Sequence, residues 1–237
     1  MCADQCAATK LLIVVSYYDA RPHDLLHNLL RQLDEEVSAA KRQVVVVVNS
    51  VRDGPTPLPS LKAKVSLVYR ENLGMNIGAW DHAWRIFPDH DRFLFLQDEC
   101  VIMKSGWLRA YENHLENKEV GLVGESLGLA KHWDRILAPG AKKLERHRAL
   151  YEGIKSIGIN PGEHATHLQS LIWATRRDVL EAINGFHVGR DRAECIAAEV
   201  GCSRKIAGRN LKLMLAGTAN FEWISHPQWD ARLADPH

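Results

Sequence analysis

The sequence lacks an excess of charge of either sign. Lysine and arginine number 30 against 29 aspartates and glutamates, the formal net charge is +1, and the pI is near 7.7. A protein that grips nucleic acid by neutralising phosphates carries a basic face and a high pI, so no nucleic-acid partner is expected. Long apolar runs are missing too. The longest, 11–15 and 44–48, fall far short of the roughly 20 residues that a membrane span needs. The opening MCADQCAATK has neither the basic stretch nor the apolar core of a secretion signal. Five cysteines, Cys2, Cys6, Cys100, Cys195 and Cys202, match neither a zinc ribbon nor a disulfide-dense framework. Reduced thiols in a cytoplasmic protein are the expectation.

What is present is an ordinary globular composition, 46% hydrophobic and 25% charged, in a chain long enough to bury a sizeable core. LLIVVSYY (11–18) is an apolar, partly β-branched run of the kind buried on both faces of a parallel sheet, with the strand expected to end near Ser16. Asp24 is the expected cap of a helix in which Leu25, Leu26, Leu29, Leu30, Leu33 and Val37 recur at helical spacing. VVVVV (44–48), VSLVYR (65–70) and FLFLQ (93–97) read as further strands. GAWDHAWRIF after Gly78 reads as a helix, and Ser105 as the cap of the next. VGLVGES (120–126), SLIWATR (170–176) and NLKLMLAG (210–217) add strands, and 178–183 and 192–207 add helices, the last stopped by Gly208. This alternation predicts an α/β protein with a doubly wound, mostly parallel sheet, whose ligands sit beyond the carboxyl ends of the strands.

Two nucleotide signatures are absent at those ends. G-x-G-x-x-G does not follow the first strand, where the chain reads SYYDARP, and G-x-x-x-x-G-K-[ST] does not occur, which argues against nicotinamide or flavin enzymes and P-loop hydrolases. Two other signals stand there instead. RENLGMNIGAW (70–80) carries Gly74 and Gly78, which permit close backbone approaches that a Cβ obstructs. FLFLQDECVIMKSGWL (93–108) runs an apolar strand into Gln97, Asp98 and Glu99, oxygen donors of the kind that hold a divalent metal and, through it, a diphosphate.

In order and spacing these segments resemble the GT-A glycosyltransferases, especially the family-two group and its rhamnan-synthesis-like relatives, over most of the chain. VVSYYDARP stands at the family's first strand and nucleotide-side loop, and VVVVVNSVRDG at its second strand with the Asp-Asn-x-Ser-x-Asp-Gly ending. ENLGMNIGAW stands at the Asn-x-Gly loop, and FLFLQDECVIMKSGWL at the Asp-x-Asp strand followed by Gly-Trp-Leu. HLQSLIWATRRDVLEAINGF (167–186) resembles the segment ending in Gly-Phe ahead of the catalytic acid, and His226 falls where the fold often has a metal-binding histidine. The resemblance implies one GT-A domain over 1–237, with the nucleotide bound by about 10–110 and the acceptor and catalytic part in about 111–237. It implies transfer of a sugar from a nucleotide diphosphate sugar to a glycan or lipid-linked acceptor, as in polysaccharide biosynthesis, with a divalent cation (Mn or Mg) and inversion by direct displacement. Nucleotide-sugar roles fall to Ser16, Tyr18, Asp19, Asn49, Arg70, Asn72, Gly74, Gly78, Gln97 and Asp98, and metal roles to Glu99, Asp98 and His226. A lipid-linked acceptor brings in peripheral association with the inner face of a membrane.

The chain departs from the family pattern at several points. Gln97 replaces the first acid of Asp-x-Asp, Asp98 stands in its middle and Glu99 at the second acid, while Val48 stands where an Asp usually contacts the base. After Gly185-Phe186 the family has x-Glu-Asp, and here the chain reads HVGRDRAECIAAEVG. Counting from Gly-Phe selects Glu194 as catalytic base, counting back from Gly208 selects Glu199, and Asp191 is a further candidate. Glu194 is preferred, because a helix's first turn faces the ligand end of the sheet more readily than its middle. Two other readings stay open: a degenerate, non-catalytic sugar- or nucleotide-binding module, and a nucleotidyltransferase, whose Gly-rich loop is not seen. His164 and His167 have H-x-x-H spacing without a third ligand and read as a polar loop. Trp80, Trp107 and Trp173 read as core, Trp223 and Trp229 as tail packing or stacking partners, and AKKLERHR (141–148) as a solvated helix face.

Overall fold

The protein is described from a computed structural model that covers residues 10–40, 42–51, 54–129, 131–230 and 232–233. Cys2, Cys6 and Asp53 of the VRDG turn lie outside these described residues.

The first apolar run forms β1 (Leu11–Tyr18), which continues two residues past Ser16. In α1 (His23–Ala39), Leu26, Leu29, Leu30, Leu33 and Val37 are buried as their spacing requires. Its cap is Pro22 rather than Asp24: the proline brings a φ already near the helical value, and Asp24 falls in the first turn, where it faces the positive end of the helix dipole. After β2 (Gln43–Ser50) and β3 (Lys64–Glu71), α2 (Met75–Ile86) starts ahead of Gly78 instead of after it. Gly74 turns the chain at φ 76°, and Gly78 lies within the helix because a Cβ there would collide with the Leu73 carbonyl oxygen.

β4 (Arg92–Gln97) leads to the short β5 (Val101–Ile102) and to α3 (Trp107–Glu116). Ser105 does not cap α3: Gly106, at φ 81°, makes that turn, and its amide donates to Glu36 Oε1 (2.6 Å). β6 (Val120–Gly124) and β7 (Leu127–Gly128) are followed by α4 (Trp133–Ile136), α5 (Leu144–Ser156) and β8 (His167–Leu168). The chain continues through β9 (Ile172–Arg176), α6 (Arg177–Ala182), α7 (Arg192–Ala207), β10 (Lys212–Leu215) and β11 (Ile224–Ser225).

Seven strands form the main sheet in the order β10-β6-β9-β4-β1-β2-β3. Pairing is parallel except for β9, which runs antiparallel to both β4 and β6. Alternation along the strands divides the core in two. Leu11, Ile13, Val15, Val44, Val46 and Val48 pack with α1 and α3, while Leu12, Val14, Val45 and Val47 pack with α2, α6 and α7. Trp107 belongs to the first layer and Trp80 and Trp173 to the second, all buried as expected. A smaller cluster of Trp133, Ile136, Ile154, Ile159, Ala165, Ala197 and Val200 joins α4, α5 and α7. The register sets Ser16 beside Gln97, Tyr18 beside Asn49, and Asn49 beside Arg70, so the polar strand ends predicted to hold ligand share one edge.

Candidate active site

At the ends of β1 to β3 the polar side chains bind one another. The buried Asp19 carboxylate accepts hydrogen bonds from the Ser50 hydroxyl (2.7 Å) and the Val51 amide (2.8 Å), which ties the β2 exit to the β1 exit. Arg70 donates from Nη1 to Asn49 Oδ1 (2.7 Å) and from Nη2 to the Leu73 carbonyl (2.8 Å), closing the loop that Gly74 turns. Burial lowers the pKa of this guanidinium. Ser16 is spent inside the sheet, its hydroxyl donating to the Leu96 carbonyl (3.2 Å). Tyr18 is half-buried at its strand end, and Asn72 is exposed.

At the end of β4 a denser cluster forms. Gln97 Nε2 donates to the Ser170 carbonyl (2.9 Å), which leaves Oε1 to accept from His226 Nε2 (3.2 Å). Glu99 Oε2 lies 2.5 Å from Arg21 Nη1 and 3.5 Å from His226 Nε2. His226 is fully buried, and its Nδ1 accepts from the Gln228 amide (3.2 Å). Facing acceptors on one side and a donor on the other, the ring therefore carries its proton on Nε2. The bond from His226, with the Arg21 pair, holds the Glu99 carboxyl down at about 2 despite partial burial. Asp98 turns inward at 4% exposure; burial pushes its carboxyl up to about 7, and its Oδ2 has no hydrogen-bond partner among the described residues.

His226 reaches this cluster through β11, which pairs antiparallel with β5 (Ile224 opposite Ile102, Ser225 opposite Val101). Ser225 in turn bonds the Asp230 carboxylate, which Arg232 also holds. Glu99 is ionised, an oxygen donor of the kind that a hard divalent cation takes, and Asp98 Oδ2 has no partner among the described residues, but the ligand atoms of Glu99, Asp98 and His226, the expected metal group, do not all lie within 4.8 Å of one another. His226 stands there as a hydrogen-bond donor to Glu99, not with a lone pair turned toward it.

The three candidate bases separate. Asp191 caps α7, its Oδ1 accepting from the Glu194 amide (2.9 Å). Glu194 folds back on Arg190, taking 2.6 Å from Nη2 and 2.9 Å from the backbone amide, and these bonds hold its carboxyl down at about 2. Glu199 belongs elsewhere. Its Oε1 accepts from the Ser170 amide (2.9 Å), and the Ser170 carbonyl accepts from both Gln97 Nε2 and Asn76 Nδ2 (2.6 Å). One residue's backbone thus links Glu199 to the β4 cluster, while Glu194 and Asp191 close on their own helix start.

Arg21, Asn76 and Ser170 were not among the residues expected from the sequence. Arg21 had a signal, being the one cation in SYYDARP, and Asn76 another as the second asparagine of ENLGMNIG. Ser170 had none, because it acts through its backbone. Trp223 is half-buried under the Lys104 ammonium (4.0 Å from the ring), and Trp229 is 49% exposed. The 141–148 segment opens α5 with mostly exposed side chains, His147 being buried. A cavity of about 840 Å³ between α2 and α7, lined by Arg85, His187, Arg204, Lys205 and Arg209 among others, shares no residue with the strand-end clusters.

No family model matches the sequence, and no curated protein matches it. The architecture does match solved structures. A mannosyltransferase from Pyrobaculum calidifontis, in complex with GDP-Man and Mn²⁺, superposes with a TM-score of 0.55 at 16% identity, over 89% of this chain and 55% of that one. The chain therefore spans little more than half the length of that enzyme. A Drosophila beta-1,4-galactosyltransferase 7 mutant, in complex with manganese, UDP-Gal and xylobiose, matches at TM-score 0.49 and 11% identity, over 92% of this chain and 71% of that one. The fold is the GT-A fold.

Proposed function

We propose that the chain is a metal-dependent, family-two-like glycosyltransferase that moves a sugar from a nucleotide diphosphate sugar to a glycan or lipid-linked acceptor with inversion. The observation that carries this reading is the cluster at the end of β4. In a GT-A fold, an ionised Glu99 pairs with Arg21 at the carboxyl edge where a diphosphate would lie, and the buried Asp98 carboxyl precedes Glu99 in the chain. Residues of about 10–110 are assigned to the nucleotide and those of about 111–237 to the acceptor.

Glu99 is assigned as the protein's metal ligand, with Asp98 Oδ2 as a second oxygen, and a bound Mn²⁺ or Mg²⁺ supplies charge neutralisation of the leaving diphosphate. His226, donating from Nε2, orients Glu99 and Gln97. Arg21 pairs with Glu99 and is placed to share the diphosphate's charge, so that preorganised positive charge meets the negative charge that develops on departure. Asp19, Asn49 and Arg70 shape the nucleoside side of the pocket by fixing the loops after β1, β2 and β3.

Glu199 is assigned as the general base in preference to Glu194. The Ser170 amide holds one carboxylate oxygen, and the other is left to take the acceptor hydroxyl proton as that hydroxyl attacks the anomeric carbon. The test is thermal shift of the full chain against UDP, GDP, dTDP and CMP sugars, each with and without Mn²⁺. A ligand that binds the native state raises apparent stability by mass action, so a nucleotide diphosphate sugar should raise Tm only when the metal is present. No stabilisation by any nucleotide under either condition would sink this reading and leave a binding module for some other ligand.

A further inference from the structure

Two of the 12 histidines face each other outside the strand-end site. His132, which caps α4, and His164, in the loop before β8, are backbone partners in an antiparallel bridge. The bridge is pinned on both sides, by Trp133 N to Glu163 O (2.9 Å) and Ala165 N to Lys131 O (2.8 Å). The two rings meet edge to face with centroids 5.0 Å apart. With Glu163 they form the only group of three or more His, Cys, Asp or Glu among the described residues whose ligand atoms all lie within 4.8 Å of one another. We propose that His132, Glu163 and His164 form a second metal site, independent of the strand-end cation, that takes a zinc-like dication.

The chemistry of the donors selects the ion. Two borderline imidazoles and one hard carboxylate suit tetrahedral Zn²⁺ with water in the fourth position, and the imidazoles suit Mg²⁺ or Ca²⁺ poorly. Ligand atoms about 2.0–2.1 Å from one tetrahedral zinc lie about 3.3 Å apart, so closing the present spread needs only side-chain rotation. The parts that must move are able to. Among the described residues nothing hydrogen-bonds to the His164 ring or to the Glu163 carboxylate, and both residues are exposed. When Nε2 gives its lone pair to the metal, Nδ1 must carry the proton, and the cap bond it now accepts from the Asp134 amide (3.3 Å) gives way to donation toward Asp134 Oδ2, 3.3 Å away.

The sequence shows His164 only in an H-x-x-H pair with His167. In the fold His167 turns inward, its Nδ1 bonded to the Ala165 carbonyl (3.0 Å), and His164 meets His132, 32 residues earlier, instead. A metal here would cross-link the two ends of the excursion that carries α4 and α5 and sits over the small third core. The His164 carbonyl accepts from Arg204 Nη1 (2.6 Å) on α7, the helix that also carries Glu199, so the link extends to the active-site helix.

The test titrates the EDTA-stripped full chain with ZnCl₂ by calorimetry and follows Tm, without nucleotide. The wild type should bind a zinc equivalent and gain thermal stability. His132→Ala should weaken that equivalent tenfold or more, and Asp134→Asn by about tenfold. Because His132 also caps α4, the decisive variant is His164→Gln, which breaks no hydrogen bond of the ring and should abolish the zinc equivalent while leaving the metal-free Tm unchanged. Glu99→Ala should leave it intact, which separates this site from the proposed donor site. Absence of zinc binding by the wild type, survival of the equivalent in His164→Gln, or its loss in Glu99→Ala would each overturn the proposal.

Discussion

At the scale of single residues, the choice between two glutamates five positions apart on one helix turns on what each carboxylate already holds. Glu194 is neutralised by Arg190 on an exposed helix start, whereas Glu199 reaches the β4 cluster through Ser170. Glu199→Gln should therefore keep donor affinity, measured by thermal shift, and lower transfer by about 10²- to 10⁴-fold. Glu194→Gln should leave transfer nearly unchanged; the reverse pattern would return the base to Glu194. Glu99→Ala should abolish the metal dependence of donor binding in the same assay with the fold intact, since the residue sits beyond its strand rather than in the core. Counting along the chain could not make the first of these choices. Spacing from Gly-Phe and from Gly208 gave different answers, and what sets Glu199 apart is a bond from a backbone amide that no side-chain pattern advertises. The acidic strand end was legible because an apolar run that stops at Gln-Asp-Glu has only one place to put those groups. The inward turn of Asp98 was not, because it depends on which face of the following turn packs against the sheet.

At the scale of elements, strands and helices followed their apolar periodicity closely, and α7 has the expected bounds because Asp191 and Gly208 both punctuate it. The misplaced caps at Asp24 and Ser105 share a cause: a neighbouring proline or glycine met the backbone requirement first. The element least visible beforehand is the join between β6 and the C-terminal segment. Glu125, 1% exposed just past β6, accepts from Tyr111 Oη (2.7 Å), Ile224 N (3.1 Å) and Trp223 N (3.3 Å). Burial raises its carboxyl above the ordinary value of 4.5, and these bonds offset that only in part. In the unfolded chain the group ionises first, so the native state binds more protons over the interval above about 4.5, and stability falls as pH rises through it. Tm measured across that interval should decline in the wild type and decline less in Glu125→Gln. Glu125→Ala should lower stability at every pH, by about 1–3 kcal/mol for each donor left stranded.

At the scale of the whole molecule, the parallel strands and their ligand edge could be anticipated, but the order of the sheet could not. An apolar run such as Ile172–Arg176 reads alike in either direction, and β9 is antiparallel because the chain returns to the sheet from the ligand edge after α5 and β8. Trp80 sits where α2, β4 and β9 meet, fully buried between Phe95 and Trp173 with ring centroids 5.5 Å from each. Trp80→Ala should cost about 3–5 kcal/mol in urea unfolding, the range for truncating a large aromatic in a packed core.

The pairing of β11 with β5 also gives the molecule a timetable. Gln97 and His226 touch across 129 residues of chain. At the roughly 5–20 residues per second of ribosomal synthesis, a nascent chain carries the acidic strand end for on the order of ten seconds before the imidazole that steadies it has been made. Through that interval Glu99 has only Arg21 for company. A ribosome stalled before β11 would display the acidic strand end without that imidazole.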